Sequence, residues 1–183
     1  MKKILLITLL YTSIFAEAKV YMGLGYGLYN ETYTNSAAGL PDTTDNAARI
    51  KFGYGARDAY AVEFSIDYIE HASYDTNPVI GKSKYGFNIA LMKSFDFDIY
   101  INPFIRLGFG AGMIDNYENN NPSLSYGSYD VGTGFFIPIN EYSDIEFAYE
   151  YKYLSYEKEN TLDSTISNTS NVNIFYLGYN IRF

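Results

Sequence analysis

The sequence contains no cysteine and no tryptophan, and it has a single histidine. Without cysteine, the disulfide bonds that are common in exported proteins cannot stabilise this chain. No segment after residue 18 approaches the roughly 18 consecutive apolar residues that indicate a transmembrane helix. Basic residues are scarce, with 13 Lys and Arg against 21 Asp and Glu, a formal net charge of −8. Such a chain offers no basic surface for binding nucleic acid.

The first 18 residues have the pattern of a secretory signal peptide. Lys2 and Lys3 are basic, residues 4–15 are largely apolar, and Ala16-Glu17-Ala18 forms a small-x-small cleavage site. The apolar core of about twelve residues is shorter than the roughly 20 that a membrane-spanning helix needs. We therefore predict a signal peptide at residues 1–18 and one mature domain at residues 19–183.

Apolar and aromatic side chains alternate with small or polar ones along most of the mature chain, which is rich in Tyr (21) and Phe (13). Successive side chains of a strand point to opposite faces, so each such segment has one apolar face. Eight strands are predicted on this pattern, at residues 20–30, 48–56, 60–73, 84–95, 99–114, 126–139, 144–156 and 171–183. Pro103 removes one backbone donor from the fifth strand, and we expect a bulge there.

The predicted connections alternate in length. Short turns follow the second, fourth and sixth strands, at residues 57–59, 96–98 and 140–143. Long polar connections follow the others, at residues 31–47, 74–83, 115–125 and 157–170. This alternation is typical of outer-membrane barrels, and a soluble sandwich gives no reason for it. Within lipid only a helix or a closed sheet pairs every backbone group. The sequence therefore predicts an all-β fold, an eight-stranded antiparallel up-and-down transmembrane β-barrel.

The inward faces of the predicted strands carry glycine, aromatic and charged residues. An eight-stranded barrel has an interior only wide enough for side chains to fill. The aromatic residues expected beside the glycines are Tyr21, Tyr29, Tyr100, Phe104 and Phe136. An unpaired buried charge is very unfavourable, so a balanced set of six charges predicts an ion-pair network in the lumen. Its members are Lys51, Asp67, Arg106, Asp130, Glu150 and Lys152. A gate or narrow ion path through these charges remains the alternative.

The single histidine raises the question of catalysis. His71 and Ser73 are two residues apart on one face of a strand, so a Ser–His pair is sterically feasible. The pair resembles the His-x-Ser motif of the outer-membrane lipid A deacylases. The asparagine-rich continuation of that motif and a suitably spaced Glu are not apparent, and we expect no enzymatic activity. Asp42, Asp45 and the other acidic loop residues match no calcium-loop spacing, and we expect no metal or cofactor.

The last strand ends on an aromatic residue and has apolar side chains at every second position. Tyr179, Ile181 and Phe183 resemble the terminal signal that the barrel assembly machinery reads. The mature chain as a whole resembles the OmpA transmembrane domain and OmpX type of small barrels, the outer membrane protein beta-barrel domain family. The chain ends at Phe183, with no segment resembling the periplasmic peptidoglycan-binding domain of full-length OmpA. Cell-wall anchoring is therefore not expected.

This resemblance implies a location in the outer membrane of a Gram-negative bacterium. It favours a non-enzymatic structural or surface-interaction, adhesin-like role through four long extracellular loops. A narrow porin and a lipid A-modifying enzyme that uses His71 and Ser73 are the alternatives. The expected partners are outer-membrane lipid and lipopolysaccharide, the barrel assembly machinery, and a host or surface ligand at the loops that the sequence does not specify. We expect a monomer.

Overall fold

A computed structural model describes residues 18–34, 42–72, 82–115, 123–157, 159–160, 165–166 and 169–183. In these ranges eight long strands form the barrel. They are β1 (Lys19–Thr34), β2 (Thr43–Gly55), β3 (Tyr60–Ala72), β4 (Lys82–Ser94), β5 (Asn102–Ile114), β6 (Leu124–Asn140), β7 (Ser143–Tyr156) and β10 (Thr169–Arg182). The short strands β8 (Glu159–Asn160) and β9 (Thr165–Ile166) pair with each other outside the barrel. In the part of the chain described here, no helix is long and apolar enough to span a membrane.

All barrel strands are antiparallel to their neighbours, and the sheet closes on itself. β1 pairs with β2 on one side and with β10 on the other. The β1–β10 pairing that closes the barrel runs from Tyr21 opposite Arg182 to Thr34 opposite Thr169. Closure leaves no unpaired strand edge, which is what a sheet in hydrocarbon requires. The predicted eight-stranded antiparallel barrel is therefore confirmed. The predicted signal peptide lies outside the described residues, apart from Ala18.

The connection between β4 and β5 is longer than the three residues predicted, because it covers residues 95–101. The backbone N–H of Asp98 donates to the Asp96 side chain at 2.8 Å. Asp98 has a φ of 57°, a left-handed conformation that aspartate tolerates in turns. Tyr100 lies in this connection with 72% of its surface exposed, so its predicted place in the interior is wrong. β5 begins only at Asn102, and the inward alternation does not reach Tyr100.

The predicted bulge at Pro103 is also wrong. The β5–β6 pairing runs without a shift through Pro103 opposite Phe135. The Pro103 carbonyl faces β4 and accepts from the N–H of Phe95 at 2.8 Å, beyond the last paired residue of β4. The missing N–H of the proline therefore falls where the ladder has already ended. The register shifts instead at residues 69–72 and 138–140.

The outward face of the barrel is a continuous apolar band. Large apolar side chains on every barrel strand are exposed there, among them Leu24, Phe64, Leu91, Phe109, Val131, Phe147 and Leu177. An apolar surface of this extent is far larger than a water-soluble monomer exposes. The face is therefore built for contact with lipid, as the alternation of the sequence predicts.

Aromatic residues border this band at both ends. Toward the long connections, Tyr68 lies against Tyr85 with ring centroids 5.4 Å apart, and Tyr129 against Tyr153 at 5.0 Å. Toward the short turns the exposed aromatic residues are Tyr54, Phe97, Tyr100, Tyr142 and Phe183. Two such girdles mark the two membrane–water interfaces of a barrel, and in outer-membrane barrels the short turns lie on the periplasmic side.

A basic side chain at the short-turn end, Lys93, occupies an outward position and lies against aromatic rings. Its Nζ is 4.5 Å from the ring centroid of Tyr60 and 5.7 Å from that of Phe95. Lys93 is only 8% exposed, so its neighbours cover most of the side chain, and the two rings give the ammonium group cation–π contacts. Lys93 is therefore compatible with lipid in spite of its charge.

Replacing Leu177 with arginine is expected to destabilise the barrel by about 2–4 kcal/mol, because a charge near the middle of the bilayer must leave water. Leu177 is 54% exposed on the outward face of β10, between Tyr26 and Phe147. The measurement is urea unfolding in lipid vesicles, followed by gel mobility without boiling. The matched control is Asn30→Arg near the outer end of β1, where roughly 0–1 kcal/mol is expected. Equal losses in both variants would contradict a lipid-facing position for Leu177.

Candidate functional site

The described interior of the barrel contains three groups of charged side chains. The first, here called the central cluster, lies at mid-height on the inward faces. Arg49 from β2 donates to both oxygens of Asp67 from β3, at 2.5 and 3.0 Å. On its other side Arg49 donates to Glu150 of β7, with a contact of 2.9 Å to Oε2. Lys152 completes the group by donating to Asp67 Oδ2 at 2.7 Å. A single guanidinium thus joins opposite walls of the barrel.

Arg106 is the second hub of the central cluster and is only 1% exposed. It donates to Glu150 Oε1, the oxygen that also accepts from Arg49. Its guanidinium lies 3.3 Å from Glu63 Oε1 and 3.6 Å from Asp130 Oδ1. The space for this side chain comes from Gly132, because a Cβ there would lie 2.8 Å from Arg106 Cγ. The inward glycines therefore serve the packing of the charged residues.

The structure places all six predicted lumen residues in the central cluster, where each is buried. It adds three that the prediction left out, namely Arg49, Glu63 and Glu146. Lys51 lies 3.3 Å from Glu63 and pairs with Glu146. The signal for these residues was present in the sequence, since each occupies an inward position of the strand alternation.

The charges of the central cluster nearly balance. Its basic residues are Arg49, Lys51, Arg106 and Lys152, and its acidic residues are Glu63, Asp67, Asp130, Glu146 and Glu150. Two amides support the additional negative charge. Asn88 Nδ2 donates to Asp130 at 2.8 Å, and Asn180 Nδ2 donates to Glu146 at 3.0 Å. The mutual attraction of these buried charges and their hydrogen bonds offset part of their loss of hydration, while Arg106 Nε and Nη2 have no hydrogen-bond partner among the described residues.

The second group, the upper cluster, lies nearer the long connections and centres on Lys84, which is 0% exposed. Lys84 Nζ donates to Glu31 at 2.9 Å and to the hydroxyls of Tyr29 and Tyr156 at 2.7 Å each. The rings of Tyr29, Tyr126 and Tyr156 surround the ammonium at 4.8–5.2 Å. The sequence prediction had placed Glu31 in a loop, but β1 continues to Thr34 and carries it inside.

The third group, the mouth cluster, lies at the short-turn end. Arg182 Nε donates to Asp144 Oδ2 at 2.7 Å, and Arg57 Nε lies 3.3 Å from the same oxygen. Arg57 also donates to the backbone carbonyl of Asn140 at 3.0 Å. Burial and the neighbouring Arg182 guanidinium lower the pKa of Arg57 below its ordinary value, against the raising effect of Asp144.

Apolar side chains lie between the three clusters, but Asn180 joins the mouth cluster to the central cluster by donating to both Asp144 and Glu146. Phe104 packs on Phe136 with ring centroids 4.8 Å apart below the central cluster. Ile69, Leu154 and Val172 pack above it. A cavity of about 10 Å³ lies beside Asp67 and Lys152, room for about one water molecule. In the described part of the barrel, side chains fill the cross-section at mid-height.

The remaining predicted residues have no assigned chemistry in the structure. The backbone of His71 belongs to β3, while its side chain and the whole of Ser73 lie outside the described residues. Tyr179, Ile181 and Phe183 are exposed on the outward face, and their role in assembly stays a prediction. Among the described residues, no group of three or more His, Asp or Glu side chains is arranged to hold a metal ion.

Comparison with known proteins supports the architecture. No protein-family model matches the sequence, and no curated protein matches it. Among solved structures, the Neisserial surface protein A has a TM-score of 0.66 at 16% identity, covering 91% of this chain and 99% of the other. The Ail protein of Yersinia pestis has a TM-score of 0.57 at 17% identity, covering 91% of this chain and 99% of the other. OprG of Pseudomonas aeruginosa has a TM-score of 0.58 at 13% identity, covering 92% of this chain and 96% of the other.

Sequence identities this low show that this chain shares the fold of these structures but do not show that it shares their activity. The closed sheet and apolar exterior of this chain are consistent with the shared fold. Because the exterior is stable only in lipid, the chain is a small eight-stranded β-barrel of the bacterial outer-membrane type.

Proposed function

We propose that this protein is a non-enzymatic surface-interaction protein, whose barrel is a closed anchor and whose four long connections contact a partner outside the cell. The observation that carries the proposal is the mutual pairing of the lumen charges. Arg106, for example, is enclosed by Glu63, Asp130 and Glu150. Charges that neutralise one another inside a packed layer are a structural plug, whereas charges that line a pore face water.

The alternative of a narrow porin requires a continuous water path past the central cluster. The side chains of the nine charged residues there are almost fully buried. Ions would have to displace Arg49 and Arg106 from their carboxylates before passing. The plugged lumen therefore fits the packing better. The other alternative, a lipid A-modifying enzyme, depends on His71 and Ser73.

The long connections at the outer end are acidic, and this charge limits the kind of partner surface that they can bind. Residues 35–42, 73–81, 115–123 and 157–168 contain seven acidic residues and one lysine, a net charge of −6. The structure of Ail was solved with the heparin analogue sucrose octasulfate, a polyanion. Acidic loops repel such a ligand. We infer a neutral or basic partner surface, with the barrel acting as a monomer among outer-membrane lipid and lipopolysaccharide after insertion by the barrel assembly machinery.

Replacing residues 157–168 with Asn-Gly is expected to abolish most adhesion of cells that display the protein to epithelial monolayers. The change removes the largest acidic connection while β7 and β10 remain joined by a hairpin turn. Adhesion is measured beside gel mobility before and after boiling, which reports whether the barrel is folded.

The matched variant keeps the loop length and removes its net charge of −2, with Glu157→Gln and Asp163→Asn, so that Glu159 balances Lys158. A salt-sensitive part of adhesion should disappear in it, because exposed charges are screened by added salt. Unchanged adhesion in the folded loop-replacement variant contradicts a contact role for this loop. Ion conductance of the purified wild type in planar bilayers would favour the porin.

A further inference from the structure

A pocket of about 480 Å³ opens at the short-turn end of the barrel, opposite the long connections. Basic and acidic side chains both line it. The basic ones are Lys19, Arg57 and Arg182, and the acidic ones are Asp58, Asp96 and Glu141. Apolar lining is sparse here, unlike the outer wall of the barrel. The pocket is therefore suited to a small charged ligand rather than to lipid chains.

Two arginines at the base of the pocket share a single carboxylate. Asp144 Oδ2 accepts from Arg182 at 2.7 Å and lies 3.3 Å from Arg57. Its other oxygen accepts from Asn180 Nδ2 at 2.6 Å. Asp144 thus has one charge for two guanidinium groups. An excess of positive charge remains at the base of the pocket.

The Arg182 guanidinium also has an unused donor. Arg182 is 3% exposed, and its Nη1 has no hydrogen-bond partner among the described residues. The guanidinium lies 4.8 Å from the ring centroid of Tyr21 and 5.4 Å from that of Phe136. Buried donors of charged groups are almost always paired in folded proteins. An N–H left over in a side chain that lines a pocket points to an acceptor supplied by a ligand.

We propose that this mouth binds a small zwitterion, with its anionic group held by Arg182 and Arg57 and its ammonium group facing Asp58, Asp96 and Glu141. With Asp144 included, the side chains of the pocket carry three positive and four negative charges. A bare anion would be repelled by the acidic rim, and a bare cation by the arginines. A ligand with both charges satisfies both parts of the pocket. This site is separate from the proposed contact surface at the loops.

Two sources share this chemistry. A free amino acid or short peptide carries a carboxylate and an ammonium group, and a phosphoethanolamine lipid headgroup carries a phosphodiester and an ammonium group. The test uses the mature protein, residues 19–183, in an uncharged maltoside detergent, since a zwitterionic detergent would compete. The Nε–H signals of the arginines are followed by ¹⁵N NMR during titration with glycylglycine, glycerophosphoethanolamine, acetate or methylammonium.

We expect a saturable shift of the Arg57 and Arg182 signals with at least one zwitterion, and weaker binding of acetate. Glycylglycine binding indicates a free ligand, and binding of glycerophosphoethanolamine alone indicates a headgroup. The Arg57→Gln variant should bind about tenfold more weakly, since one charge-assisted hydrogen bond is lost. Arg57 lies in a turn, so the barrel should fold without it. The Glu141→Gln variant should weaken zwitterion binding but not acetate binding.

The matched control is Lys93→Gln, which removes a positive charge from the same end of the barrel but on its outward face. Binding in this variant should be no weaker than that of the wild type, because loss of Lys93 only removes a cation that attracts Asp58 of the pocket rim. The absence of a saturable shift with both zwitterions overturns the proposal. So does acetate binding as tight as that of the zwitterion, or an equal loss of affinity in Lys93→Gln and Arg57→Gln.

Discussion

The Arg106→Met variant is expected to lose about 3–5 kcal/mol of folding free energy, the usual effect of removing one partner from a buried ion pair. Methionine fills much of the volume of the arginine stem, so the loss comes mainly from charge. Glu63, Asp130 and Glu150 then face one another in a closed interior without their shared cation. The measurement is the urea midpoint of the barrel in lipid vesicles, read by gel mobility without boiling.

The double variant Arg106→Met with Glu150→Met is the matched control. Removing a carboxylate together with the arginine restores part of the balance, so the double variant should be more stable than Arg106→Met alone. A lone Glu150→Met substitution should also destabilise, because Glu150 accepts from both Arg49 and Arg106. If Arg106→Met unfolds at the wild-type urea concentration, the central cluster does not contribute to stability.

The Lys84→Met variant is expected to lose a similar amount, about 3–5 kcal/mol. Glu31 would keep its hydroxyl donors from Tyr29, Tyr156 and Ser170 but would have no cation. The three tyrosine rings around the ammonium would also lose their cation–π contacts. Because the upper cluster joins β1, β4, β7 and β10, we expect the outer half of the barrel to open first. Hydrogen exchange of the outer strand ends measures this.

Combining Lys84→Met with Glu31→Gln should recover much of the stability, since no charge then remains unpaired in the upper cluster. The same variants test which of the two clusters closes the lumen to ions. Lys84→Met should stay closed to ions in planar bilayers, because the central cluster below it is intact. Conductance that appears on loss of Lys84 alone would show that the upper cluster, and not the central one, closes the lumen.

The strands and their orientation were accessible from sequence because lipid imposes a strict period of two. The outward positions from Phe175 to Ile181 in β10, and Phe183 just after it, could be assigned by counting alternate residues. The same counting placed Lys51, Asp67 and Arg106 inside. Strand ends were less accessible, and Glu31 was lost to a loop because β1 extends four residues beyond Asn30. Tyr100 and Pro103 were misjudged for the same reason, since β5 begins later than its apolar pattern suggests.

The partners of the interior charges were not accessible in the same way. Arg49 and Glu150 are 101 residues apart, and Lys84 and Glu31 are 53 apart. The alternation along a strand predicts that each of these residues faces inward. It does not predict the height of the side chain in the barrel or which side chains lie across the lumen from it. Those depend on the tilt and stagger of the strands, which closure of the whole barrel sets. The mouth cluster depends further on Arg57, a turn residue to which the strand period does not apply.

The amino-acid sequence by itself determined the apolar outer face, the filled polar interior and the eight strands with alternately short and long connections. Each of these features is a local pattern along the chain. Only the closed barrel decided which carboxylate meets which cation, and that two arginines at the short-turn end share Asp144. Pairing across a lumen is a property of stagger between distant strands, and no local pattern encodes it.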